Sequence, residues 1–160
     1  MPAVLGSLMK SKPSTAMVAG YSRAVTRFVG SLKGVPDDRK GELHEVLWAA
    51  IMRYTDMPKF TQILAERFGL VDYEVSAVSI YQQTLARIVL EDEGRLRCGL
   101  TGAIWMHSGL PCEGAPSHGS LASKSYQISI GLLVNGVPCW PGIEPGCRCW
   151  SKPSLPGFED

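Results

Sequence analysis

Trp105-Met-His107-Ser-Gly109, followed by Cys112 and His118 and closed by Pro145-Gly-Cys147-Arg-Cys149, is the stretch on which the fold turns. It holds two of the three histidines and four of the five cysteines in a chain of 160 residues. Glycine and proline interrupt it so often that no long helical stripe can pass through. The stretch reads as a small Cys/His-rich module with a β-hairpin, carried on a helical region. The expected class is therefore α+β, with a flexible N-terminal arm at 1–13, a helical domain at 14–94 and the module at 95–160.

Upstream of the module the periodicity is helical. Ser14 or Thr15 can cap a first helix whose apolar positions Val18, Tyr21, Val25, Phe28 and Leu32 recur every three or four residues, with Gly34 and Pro36 ending it. Asp37 or Asp38 offers a second cap before Leu43, Val46, Leu47, Ala50, Ile51 and Tyr54. Pro58 fits the first turn of a third helix carrying Phe60, Ile63, Leu64 and Phe68, and Gly69 is its stop. A fourth helix, capped within Asp72–Ser76, runs through Ile80, Leu85, Ile88 and Val89 to Gly94. Such stripes bury only against one another or against a partner. Beyond Gly94 the stripe is lost. Tyr126–Ile130 and Leu132–Val137 have strand character, and Asn135-Gly136 is a tight-turn signal.

The composition narrows the partners. With 16 basic and 15 acidic residues the net charge is +1, which gives no general attraction for nucleic acid or an anionic membrane. No apolar run approaches the roughly 18 residues that span a bilayer. Lys10 and Lys12 follow a short apolar piece, the reverse of a signal peptide's order, so synthesis in a cytoplasm is expected, where thiols stay reduced. An odd cysteine count agrees with metal ligands or free thiols rather than disulfides.

The module's donors suit zinc, which takes soft or borderline ligands in a tetrahedron and can replace a core that so small a module cannot build. The preferred ligands are His118, Cys147 and Cys149, with Cys112 as the fourth or His107 in its place; Cys139 is a further donor nearby. The competing reading makes the cysteines small buried hydrophobes and the histidines ordinary hydrogen-bonding groups. A catalytic reading would pair Cys112 with His107 or His118, with Glu113 the nearby acid. Trp105, Trp140 and Trp150 are expected to pack the module and Trp48 the helical core, while His44 belongs to the helices and Cys98 has no companion. A stacking platform for single-stranded nucleic acid would need more cations than Lys124, Arg148 and Lys152.

The order of motifs carries a resemblance. Trp105-Met-His107-Ser, Ala115-Pro-Ser-His118, Trp140-Pro-Gly-x-x-Pro-Gly-Cys147-Arg-Cys149, Lys152-Pro and Leu155-Pro-Gly-Phe158 together resemble the C-terminal domain of the phage Mu F-like, or head morphogenesis, minor capsid proteins. The resemblance covers residues 104–158. It implies a virion protein of a tailed phage head, made in the host cytoplasm, acting in few copies near the portal or in the capsid interior in head assembly or genome delivery and without established enzymatic activity. Capsid or portal subunits would be its partners, in a symmetric or homo-oligomeric assembly, with no membrane. A head-tail adaptor or capsid-decorating protein fits the same features, and a cysteine-dependent hydrolase or toxin-like effector is the alternative from another class. His118, Cys147 and Cys149 carry over from the family, with His107 and Trp105 behind them. Ala115 stands where the family has arginine, and Ala122-Ser-Lys124 where it has Asn/Asp-Gly-Lys, so those roles do not carry over.

Overall fold

A computed structural model describes residues 13–53, 55–112 and 116–158. Its helices are α1 (Thr15–Ser31), α2 (Asp37–Met52), α3 (Met57–Phe68) and α4 (Asp72–Arg97). They are followed by β1 (Gly102–Met106), a 3-10 turn (Pro116–Leu121), β2 (Ser125–Gln127), β3 (Leu132–Val134), β4 (Val137–Cys139) and β5 (Trp150–Pro153). The class is α+β, four helices and then a small Cys/His module with a hairpin. The arm at 1–12, Tyr54, Glu113 and Ala115 lie outside the described residues.

The helix ends follow local chemistry. Ser14 accepts the Met17 N–H at 3.2 Å and gives its own hydrogen to the carbonyl of Ser129 at 2.7 Å, so the cap of α1 also ties it to the module. Neither Asp37 nor Asp38 caps α2. Pro36, extended at φ −57° and ψ 145°, is the N-cap, and both acids sit in the first turn, where a carboxylate faces the positive end of the helix. Asp56 caps α3, and Gly69 closes it at φ 63°, a left-handed conformation that glycine adopts without steric cost.

The last helix departs most from expectation. Val71 is its N-cap, one residue before the expected range, and it continues through Gly94 to Arg97. A mid-helix glycine costs about 1 kcal/mol. Asp92 and Arg95 on either side are anchored in the interior, and that anchoring outweighs the cost. The buried line is Val78, Tyr81, Leu85, Ile88, Val89 and Asp92, whereas Ile80 is 65% exposed.

Two antiparallel sheets form the module. One has the order β2-β1-β5, with Ala103 opposite Tyr126 on one side and Pro153 on the other. The other is the hairpin β3-β4, turning at Asn135 (φ 51°) and Gly136 (φ 78°) as a two-residue loop requires. The expected strand at Tyr126–Ile130 is shortened to Ser125–Gln127 and pairs with β1. It stops because the amides of Ile130 and Gly131 both fold back onto the Gln127 carbonyl, at 3.1 and 2.8 Å. The expected strand Leu132–Val137 is split by its own turn into β3 and the start of β4.

One core runs through both halves. Ala103, Tyr126, Ile128, Trp140 and Ile143 of the module share it with the buried faces of the helices. Trp105 heads a second cluster with Cys112, Leu121 and Cys149. Trp150, expected inside, is 51% exposed because it lies on the outer face of β5.

A buried polar chain crosses the joint. The Tyr21 hydroxyl donates to Asp92 at 2.8 Å, Arg95 lies 3.4 Å from the same carboxylate, and Arg95 donates to the Ser151 hydroxyl at 2.6 Å and carbonyl at 3.0 Å. Asp92 is 2% exposed, and burial holds its carboxyl up at about 6 against the opposing pull of Tyr21 and Arg95. In the unfolded chain the same acid titrates near pH 4. Between these values the folded state binds more protons, so this group's contribution to stability falls as pH rises through that window, by up to about 3 kcal/mol. Glu93, also raised by burial, acts in the same sense. Urea midpoints measured across this range should therefore carry a downward component with rising pH, and Asp92→Asn should flatten it. An unchanged slope in the variant would remove Asp92 from the account.

Candidate metal centre

The centre is assembled from three separate segments. Cys112 lies on the loop after β1, His118 on the 3-10 turn, and Cys147 and Cys149 on the loop leading into β5. Glycines shape that last loop. Gly142 has φ 83°, and a β-carbon there would stand 2.8 Å from the Cys149 carbonyl, so the chain closes tightly only because that atom is absent. The amide of Cys147 then bonds the Glu144 carbonyl at 3.0 Å.

One donor atom from each of Cys112, His118, Cys147 and Cys149 lies within 4.8 Å of the others. Cys112 Sγ is 3.8 Å from Cys147 Sγ and 3.6 Å from Cys149 Sγ, and His118 Nδ1 is 3.4 and 3.9 Å from the same two sulfurs. A tetrahedral ion with metal–sulfur arms of about 2.3 Å needs donors spaced by roughly 3.8 Å. The four spacings of 3.4 to 3.9 Å match, the other two pairs lie within 4.8 Å, and the sulfur–sulfur distances of 3.6 and 3.8 Å are far too long for a disulfide. These residues could therefore hold a metal ion, and the soft donor set fits a thiophilic one.

The surroundings favour ligation in two ways. Burial, with some help from the charge of His107, holds His118 below its ordinary pKa, which keeps the imidazole neutral and able to ligate. The Trp105 ring meets His118 edge to face at 5.2 Å, and its buried Nε1–H finds no full hydrogen-bond partner among the described residues. The indole nevertheless favours a thiolate at Cys149. A buried donor beside a sulfur is poorly served by a neutral thiol and well served by a thiolate.

The thiols themselves differ. Burial pushes Cys147 up to about 12 and also raises Cys149, while at Cys112 the burial penalty is outweighed by the Arg148 amide and the neighbouring sulfurs, which lower it. At neutral pH an ion would have to displace protons from at least two of these sulfurs. A set of four protein donors fills a tetrahedron and leaves no position for substrate.

His107 is not in this group. Its Nδ1 accepts the Gly109 amide at 3.1 Å at the end of β1, so the fourth donor present is Cys112. Cys139, on β4, packs against the cluster without joining it, and Cys98 is exposed. His44 bridges α2 to α1 through Ser22, with its Nε2 3.3 Å from the hydroxyl. Missed in the sequence is the buried polar chain, in which Tyr21, expected only as an apolar stripe position, joins Asp92 and Arg95. A signal was present, since Asp92 falls in phase with the apolar positions Leu85, Ile88 and Val89. Compared with protein families, curated proteins and solved structures, the chain matches none.

Proposed function

We propose that this chain is a structural, non-enzymatic protein of a tailed-phage head, in which a zinc ion clasps the C-terminal module. The observation that carries the clasp is the closed set Cys112, His118, Cys147 and Cys149 at tetrahedral spacing. Zinc is preferred because three thiols and an imidazole are its usual structural donors. With every donor taken up, the ion's task would be to join three loop segments that have little apolar surface of their own. The virion assignment rests on the ordered motifs of residues 104–158 and their resemblance to head morphogenesis proteins. Capsid or portal subunits would then be the partners, and host cytoplasm the place of synthesis.

Elemental analysis of the purified chain should give about one zinc per molecule, and a chelator should release it with loss of the module's order. A metal-free preparation with an unchanged melting profile would overturn the clasp. For the virion assignment, a map of the intact particle should place the chain in few copies near the portal. A copy number equal to the major capsid protein would favour the decorating role instead. The effector reading requires a reactive thiol. Alkylation that spares Cys112, Cys147 and Cys149 until chelator is added would exclude it.

A further inference from the structure

We propose that the outer face of the three-stranded sheet and the open edge of β2 form a docking groove for an extended, acidic segment of a partner protein. The inner face is spent on the core through Ala103, Trp105 and Tyr126. The outer face carries an open groove of about 980 Å³, lined among others by Ile104, Met106, Gln127, Lys152, Leu155 and Phe158. Phe158 is 81% exposed at its rim and offers an aromatic surface to an occupant.

The two edges of this sheet are unlike. On β5 the outward carbonyl of Ser151 is taken by Arg95 at 3.0 Å, and Pro153 has no N–H to offer, so that edge is closed. On β2 the ladder bonds Trp105 N–H to Lys124 and Ile128 N–H to Thr101, at 2.9 and 2.8 Å, fix the alternation. Tyr126 therefore turns its peptide groups to β1, and Ser125 and Gln127 turn theirs away. The Gln127 carbonyl is used by the turn that follows. The N–H and carbonyl of Ser125 and the N–H of Gln127 remain open among the described residues, and both side chains are exposed. An unblunted edge of this kind is a template for strand addition.

Charge selects the occupant. Among the described residues Lys152 is the single charged one lining the groove, and exposed Lys124 stands at the start of the edge. Two copies pairing through β2 would set no described carboxylate of the lining against either Lys152, so a second copy leaves that charge unanswered. A strand added to β2 lies three strand spacings, roughly 14 Å, from β5. A glutamate on its outer face and Lys152 reach toward each other across that width, over Ile104, while apolar neighbours of the glutamate cover the groove.

The test uses the full chain and two capped peptides, Thr-Val-Thr-Glu-Thr-Val-Thr and the same peptide with Lys for Glu. The glutamate peptide should slow amide exchange at Ser125 and Gln127 and bind about tenfold more tightly than the lysine peptide. Lys152→Glu should reverse that preference. Gln127→Pro removes an outward N–H that the ladder does not use, and it should abolish binding with the fold intact. Equal binding of both peptides, protection elsewhere in the chain, or no binding would each overturn the proposal. If Gln127→Pro fails to fold, the exposed Lys152→Glu variant and the exchange pattern decide.

Discussion

Cys149→Ser is expected to empty the metal centre and to loosen the module while the helices stay folded. Cys149 is 6% exposed and stands within 3.6 Å of Cys112 and 3.9 Å of His118, immediately before β5. Its sulfur therefore links the closure of the centre to the register of β5 on β1. Serine supplies a hard, protonated oxygen where a thiolate is needed, and loss of a ligand should weaken affinity by at least about a hundredfold. Each tenfold removes about 1.4 kcal/mol of linked stability, so the module should lose about 3 kcal/mol or more. The measurement is metal content together with a thermal melt followed by tryptophan fluorescence. Cys139→Ser and Cys98→Ser, outside the donor set, should retain the metal. Because burial raises the Cys147 and Cys149 thiols, the ion competes with protons, and affinity should fall as pH is lowered. Full occupancy and an unchanged melt in Cys149→Ser would sink the clasp.

How far the sequence revealed this arrangement depends on the range of the interaction. Helix caps and stops are local, and Ser14 and Gly69 act as their residue types imply. Gly94 misled because its cost of about 1 kcal/mol is small beside the contacts that Asp92 and Arg95 make with residues far along the chain. Strand β1 was illegible for a similar reason. Only Ala103 and Trp105 alternate inward over its five residues, and its partners lie about 20 and 50 positions away. The donor set was legible in its chemistry, since Cys147-x-Cys149 must converge on one loop. The choice between Cys112 and His107 was not, because it depends on how the chain leaves β1. There the Gly109 amide captures His107 Nδ1 and lets the chain carry Cys112 inward.

The contact between α1 and the module should be the other point of greatest sensitivity. Trp140 is fully buried, donates its indole N–H to the Ile128 carbonyl at 2.8 Å, and meets Tyr21 edge to face at 5.4 Å. Gly20 lies directly beneath the ring, and a β-carbon there would overlap it. Glycine on this helix is thus explained by space, despite its poor propensity. Trp140→Ala should cost about 3 to 5 kcal/mol, the usual range for removing a large buried aromatic. Gly20→Ala should cost about 1 to 3 kcal/mol by forcing the ring aside. In a Trp140→Phe background the smaller ring leaves room, so the same alanine should cost less, with a coupling of about 1 kcal/mol or more in a double-mutant cycle. Strict additivity would show that the two residues do not share the space. Metal content supplies the second readout. Trp140 belongs to the large core shared with the helices, whereas the thiols pack around Trp105. Trp140→Ala should therefore lower the melting temperature of the whole chain yet leave metal stoichiometry unchanged below the transition, the reverse of what is expected for Cys149→Ser.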